Sequence, residues 1–262
     1  MSAIQFEQVG KSFGGSVKVL DGVDLTVADR EFVAIVGASG CGKTTCLRLA
    51  AGFEAPSSGR VLVGGKVVDR PGPDRAVVFQ QFALFPWKTV SQNIAFGLRN
   101  KGLPAEERSE LVSSAITMVG LSGYADAFPH QLSGGMQQRV AIARAYVLEP
   151  EVLLMDEPFG ALDAQTRVVM QEELVRLARK NPRTVLFITH GVEEAVYLAD
   201  RVAVMTRRPG RIKEIIDVKS IREAEAWESH ERIEDVMDLE SFVHLRTHIW
   251  KSLREEKSGT GL

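Results

Sequence analysis

The stretch Gly37-Ala38-Ser39-Gly40-Cys41-Gly42-Lys43-Thr44 constrains this chain more than any other. It lies between a wholly apolar run, Phe32–Val36, and a segment, Lys43–Ala51, that reads as a helix stopped by Gly52. A strand, a glycine-rich loop and a helix in that order build a cradle for phosphate. The glycines let the backbone curl until successive N–H groups converge, and the helix presents its positive end to the same anion. Lys43 is placed to reach the β- and γ-phosphates of a nucleotide, and the Thr44 hydroxyl to ligate Mg²⁺. Gly37, Ser39, Gly40, Cys41, Gly42 and Thr45 complete the expected cradle. Cys41 stands beside a helix N-terminus and Lys43, which predicts a thiol of lowered pKa and raised reactivity. Alkylation would then block whatever turnover the loop supports, and a bound nucleotide with Mg²⁺ would protect.

Further apolar runs recur at Val77–Phe79, Val152–Met155, Thr184–Ile188 and Arg201–Met205, the last three separated by helical stretches at Ala164–Lys180 and Gly191–Ala199. Strands alternating with helices predict an α/β fold with a mostly parallel sheet covered on both faces. Ahead of it, Ile4–Val9 and Val17–Val27 alternate apolar and polar residues, with Gly14-Gly15 and Asp21-Gly22 reading as turns. Arg60–Val63 and Lys66–Val68 read as a hairpin around Gly64-Gly65, giving an N-terminal antiparallel β subdomain. From about Ala105 to Leu148 the pattern is helical and punctuated by Pro104, Pro129 and Pro150, an inserted helical subdomain within residues 88–148. The expected division is a main domain over 1–217 and a C-terminal helical extension over 218–262. There Leu239, Phe242, Leu245, Ile249 and Leu253 recur at helical spacing and read as a face packed on the core. A regulatory or membrane-surface helix is the other reading; twelve acidic against eight basic side chains in 213–262 weigh against anionic lipid.

Composition narrows the function classes. With 32 Lys+Arg against 34 Asp+Glu, the chain lacks a strong electrostatic footprint for nucleic acid. Its longest apolar runs fall far short of the roughly 20 residues that cross a bilayer. The N-terminus has neither the basic nor the apolar region of an export signal. Cys41 and Cys46 stand without a Cys/His cluster, so no Cys/His metal site is expected, and a reducing cytoplasm is the simplest compartment.

Two more motifs carry chemistry. Val152-Leu153-Leu154-Met155-Asp156-Glu157 delivers two carboxylates at the end of a buried strand, where parallel sheets place ligands. Asp156 suits the Mg²⁺ shell and Glu157 suits a base that polarises the attacking water. Leu132-Ser133-Gly134-Gly135-Met136-Gln137-Gln138-Arg139 sets a capping serine and two glycines at the start of a helical stretch. This is a second helix start ready for an anion, yet no lysine follows it.

In order and spacing, these motifs resemble the nucleotide-binding subunit of ATP-binding cassette (ABC) transporters over residues 4 to about 217, with Leu132–Arg139 as the signature sequence. The resemblance implies the P-loop NTPase fold of ABC ATPases. It also implies a head-to-tail dimer, with itself or a paralogue. Each ATP would lie between the phosphate loop of one chain and Ser133 and Gly135 of the other, with Gly134 and Gln137 alongside. By the same resemblance Phe13 stacks on adenine, and Gln80 contacts Mg²⁺ and the lytic water. Asp163 addresses the opposite site, and His190 stands near the γ-phosphate. Relatives often carry Asp where this chain has Gly191, so a helix cap is expected to be lost, with Glu193 and Glu194 still suiting the helix dipole.

Pro71–Gln80, Phe85-Pro86-Trp87, Asp156–Asp163 and Ala199–Met205 resemble the nitrate/sulfonate/taurine branch of bacterial importers. The about 50 residues after Lys213 are too few for the β-rich regulatory domain of maltose-type relatives. The aromatics of Phe82–Val90 predict a groove that receives a helix of a membrane partner. The protein implied is an ATPase on the cytoplasmic face of the inner membrane, with Glu157, His190, Gln80 and Lys43 in catalysis and Thr44, Gln80 and Asp156 on Mg²⁺. It would drive permease subunits fed by a periplasmic or lipid-anchored solute-binding protein, with no nucleic-acid partner. The rival, a soluble ABC ATPase acting on nucleic acid or ribosomes, usually carries two cassettes or long coiled-coil insertions. A kinase or GTPase has no use for the signature, and a dead docking protein would not retain Lys43, Asp156, Glu157 and His190.

Overall fold

A computed structural model describes residues 2–230 and 232–258. Its first strands are β1 (Ile4–Phe13), β2 (Val17–Val27) and β3 (Phe32–Val36), followed by helix α1 (Lys43–Ala51), β4 (Ser58–Val63) and β5 (Lys66–Val67). Strands β2-β1-β4-β5, in that spatial order, form an antiparallel sheet. The expected turn at Asp21-Gly22 is absent: β2 runs through it, and shifts of register against β1 absorb the extra residues. Such bulges bend a strand and raise its twist without ending it.

β3 belongs to the second sheet, with β6 (Arg75–Val78), β7 (Val152–Asp156), β8 (Thr184–Thr189), β9 (Arg201–Met205) and β10 (Ile212–Asp217), in the order β10-β9-β3-β8-β7-β6. All neighbours are parallel except the edge pair β9 and β10. Every residue of β3 and β8 is buried, which is why these strands read as unbroken apolar runs rather than alternating ones. Alternate side chains enter different cores. Ala34, Val36, Met155 and Phe187 pack under helices α4 (Gly134–Tyr146), α5 (Ala164–Lys180) and α6 (Val192–Leu198). Ile35, Leu154 and Ile188 face α1 and the antiparallel sheet.

A third cluster joins α2 (Val90–Ile94), α3 (Ala105–Met118) and α4 around Ile94, Leu98, Ile116 and Val140. Beyond the sheet come α7 (Lys219–Ala224), α8 (Ile233–Met237) and α9 (Glu240–Ser258). Phe242, Leu245 and Ile249 are buried in the core of α4–α6, as their spacing predicts. Residues 259–262 of the expected extension lie outside the described residues. β10 was not expected, because the composition changes at residue 213 and none of its residues is fully buried, half-buried and exposed positions alternating along it. Among the described residues no helix is long and apolar enough to cross a membrane.

Candidate functional site

Four parallel strands end at one edge, and each hands over a residue named from sequence. β3 leads into the phosphate loop, β6 to Gln80, β7 to Asp156 and Glu157, and β8 to His190. Ligands sit at the carboxyl ends of such strands.

The loop curls at Gly42, whose φ of +109° lies where side chains strain, and a Cβ there would meet Leu20 Cδ2 at 2.4 Å. Lys43 is buried and donates to the carbonyls of Gly37 (2.9 Å) and Ala38 (3.3 Å), so the lysine folds back over its own loop. Phe13, Ser39, Gly40, Gly42, Lys43, Thr44, Thr45 and Glu157 line one cavity of about 400 Å³. Phe13 is 41% exposed, with the Lys11 ammonium 4.9 Å from its ring centre. Val19 and Arg208, which sequence reasoning did not name, line the same cavity.

The Thr44 hydroxyl donates to Asp156 at 3.1 Å. Burial pushes the Asp156 carboxyl upward, the adjacent Glu157 adds to the effect, and the Thr44 bond opposes it. Glu157 sits at φ +44°, a left-handed conformation that costs a non-glycine residue about 1–3 kcal/mol and is found at functional sites. Its Oε2 accepts from Gln80 Nε2 at 3.4 Å and lies 3.2 Å from His190 Nδ1. Three residues separated widely in sequence thus meet on one carboxylate oxygen.

Cys41 corrects the expectation of a reactive thiol. It is 1% exposed, and burial pushes its pKa up despite Lys43. Its partner in the sequence, Cys46, is raised to about 12 by the same cause. The helix-end argument fails here because the side chain turns into the core and not toward the anion.

Gly191 provides no side-chain cap for α6, as expected. Thr189 compensates: its hydroxyl accepts the Gly191 N–H at 2.9 Å and donates to Glu194. Glu194 is not a surface charge answering the helix dipole. It is buried, it accepts from Gln171 Nε2 of α5 at 3.1 Å, and burial raises its pKa.

The second helix start lies elsewhere. Ser133 caps α4 by accepting the Met136 N–H at 3.3 Å, and Gln137 donates to the Leu132 carbonyl. Ser133 and Gly135 line a separate cavity with Tyr124 and Gln165, and Gly134 is exposed at the helix start. Asp163 caps α5 through two bonds from Thr166, which hold its carboxyl below the usual range. Within one chain, Ser133, Gly134, Gly135, Gln137 and Asp163 are not brought to the phosphate loop.

The aromatic loop is held by buried Asn93, which donates to the carbonyls of Phe85, Lys88 and Thr89. Phe85 packs on Phe96 at 4.4 Å between ring centres, while Trp87 stays 70% exposed.

A family model described as ABC transporter matches residues 20–160. An uncharacterized ABC transporter ATP-binding protein of Methanocaldococcus jannaschii is 51% identical over 256 residues, spanning 96% of this chain and 94% of that one. The taurine import ATP-binding protein TauB of Rhizobium johnstonii is 49% identical over 210 residues, 80% of each chain. The bicarbonate transport ATP-binding protein CmpC of Synechococcus elongatus is 44% identical over 260 residues, which span 97% of this chain and 38% of that longer one. Among solved structures, a dimeric ATP-binding cassette bound to ADP and Pi has a TM-score of 0.71 at 30% identity, with 82% of this chain and 98% of that chain covered. CbiO1 of Clostridium perfringens, part of an ABC transporter complex, reaches 0.76 at 30% identity, with 86% and 93% covered. The chain belongs to the family of ABC transporter ATP-binding subunits, with the P-loop fold that its motifs implied, and it is an ATPase.

Proposed function

We propose that this subunit powers a bacterial importer of a small anion such as nitrate, a sulfonate, taurine or a related solute. It works as a homodimer or with a paralogue, peripheral to the cytoplasmic face of the inner membrane. Permease subunits receive its motion, and a periplasmic or lipid-anchored binding protein delivers the solute. Residues 1–217 form the motor, the helical part within 88–148 meets the permease, and 218–262 extend it. The observation that carries this reading is the convergence of Gln80 and His190 on Glu157 at the mouth of the phosphate loop. The relatives named for taurine import and bicarbonate transport favour a small solute that carries an anionic group.

Phe13 stacks on adenine, while the backbone of Gly37–Thr45 and the Lys43 ammonium hold the phosphates. Glu157 orients a water in line with the γ-phosphorus and accepts its proton as the new P–O bond forms and the bond to ADP breaks. His190 holds the Glu157 carboxylate in place. In the closed dimer, the partner's copies of the Ser133–Gly135 segment and of Asp163 complete the cradle and stabilise charge on the transferring group.

Mg²⁺ fits the donor set. Among the described residues no group of three or more His, Cys, Asp or Glu side chains forms a metal cluster. The Thr44 hydroxyl and the Asp156 carboxylate meet at 3.1 Å beside a second carboxylate, however, which is hard-oxygen chemistry. Thr44, Asp156 and Gln80 would hold the ion, which neutralises phosphate charge when bound.

Trp87 and Phe96, exposed beside the loop that Asn93 clamps, would line the groove for a permease helix. Isolation of the tagged chain from its own cells tests the reading. We expect copurification with a multispanning membrane protein and ATP turnover; recovery on ribosomes or nucleic acid without a membrane partner would favour the soluble rival.

A further inference from the structure

The segment joining β9 to β10 lies against the phosphate loop and carries a cation that the chemistry above does not use. Its position is set by the backbone. The Gly210 N–H donates to the Val19 carbonyl at 2.8 Å, and the Gly210 carbonyl accepts the Asp21 N–H at 3.1 Å. The Thr206 hydroxyl donates to the Pro209 carbonyl at 3.1 Å and accepts the Arg211 N–H at 2.9 Å, closing the segment on itself. Arg211 pairs with Asp21 and ties the segment to β2. Gly210 packs so tightly that a Cβ would fall 2.1 Å from the Cys41 carbonyl oxygen. Only glycine permits that approach, and it fixes residue 208 two positions away from the loop that holds phosphate.

Arg208 is exposed, and it lines the same cavity as Phe13, Ser39, Gly40 and Lys43. The charges facing it there are Lys43, already turned onto two carbonyls, and Glu157, engaged by Gln80 and His190. No ion pair or hydrogen bond from the Arg208 guanidinium occurs among the described residues. A planar guanidinium matches phosphate oxygens in a fork, and one held at a cavity mouth by a rigid turn loses little freedom on binding.

We propose that Arg208 is a further nucleotide-binding residue, its guanidinium contacting a phosphate of the nucleotide held by the same chain. The inference rests on the reading of this cavity as the ATP site. It adds a second phosphate-side cation that acts in affinity, whereas Lys43 sits inside the loop itself.

Calorimetric titration of the full chain with ATP, ADP and adenosine tests it. In Arg208→Ala, the Kd for ATP and ADP should rise about tenfold, as for loss of a charge-assisted bond at a partly exposed site, while adenosine stays within about twofold. Arg208→Lys, which keeps the charge but loses the fork, should fall between. A loss confined to ATP assigns the guanidinium to the terminal phosphate and supports the proposal. Unchanged ATP and ADP affinities overturn it. Equal weakening of all three ligands also overturns it, since that pattern reports a ribose, base or purely structural role. Lys43→Ala and Phe13→Ala separate the two levels. If both weaken ATP binding and Arg208→Ala does not, this assignment alone fails; if neither does, the nucleotide reading of the cavity fails with it.

Discussion

The two helix starts that read as anion sites differ in what surrounds them. The N-terminus of α1 opens into a cavity lined by Lys43 and by Glu157, whose backbone is strained and whose carboxylate is met from outside that lining by Gln80 and His190. The N-terminus of α4 has a capping serine and exposed glycine but no acid, base or lysine of its own, and it lines a different cavity. In the proposed scheme one half holds and attacks a phosphate, and the other only holds one. On the proposed reading, the difference is the reason a single chain carries two incomplete halves, and pairing two chains head to tail would complete both at once.

Substitutions on the two halves should therefore fail differently. Glu157→Gln should lower turnover about 10³-fold while ATP still binds, so that ATP-loaded dimers accumulate in size-exclusion runs. Monomers at saturating MgATP would break the scheme. Ser133→Arg should lower turnover about 10²-fold or more, with ATP affinity of the separated chain within about twofold of the unaltered protein. If nucleotide binding disappears as well, the halves are not separate.

Glu194 joins the His190 loop to α5, the helix that Asp163 caps. Because burial raises Glu194, the folded chain holds that proton more tightly than the unfolded chain. Stability then falls as pH rises from the ordinary value of 4.5 to the raised one, and levels above it. Glu194→Gln should flatten that slope in urea midpoints taken across this range; an unchanged slope would assign it to another group. The smallest effect concerns the thiols. With Cys41 and Cys46 both buried and raised, alkylation of the native chain should be slow and leave turnover near its starting value, with both sites labelled after denaturation. Mass spectrometry of the labelled peptides decides it.

The sequence was most legible where local pattern and burial agree. Phe32–Val36, Lys43–Ala51, Ala164–Lys180 and Arg201–Met205 have the bounds that their apolar runs and punctuation predict. β10 escaped because its pattern and burial disagree: Ile215 is exposed, whereas Glu214 is half-buried and bound to His248 of α9 at 2.8 Å. The placement of Gln80, Asp156, Glu157 and His190 at strand ends was legible from motifs. What surrounds them depends on contacts distant in sequence, which no local rule contains. Cys41 turns against Gly37 and the β9–β10 segment, Thr189 borrows Glu194, and Arg208 arrives at the phosphate loop from more than 160 residues away.

Mixing two inactive variants tests the shared site most directly. Lys43→Ala lacks the first half and Ser133→Arg the second, and each alone should turn over ATP at background. Mixed chains form a dimer in which the phosphate loop of one and the Ser133–Gly135 segment of the other are both intact, so ATPase activity should reappear on mixing. Activity that stays at the sum of the two backgrounds, in samples where the mixed dimer is demonstrably present, would contradict a composite site.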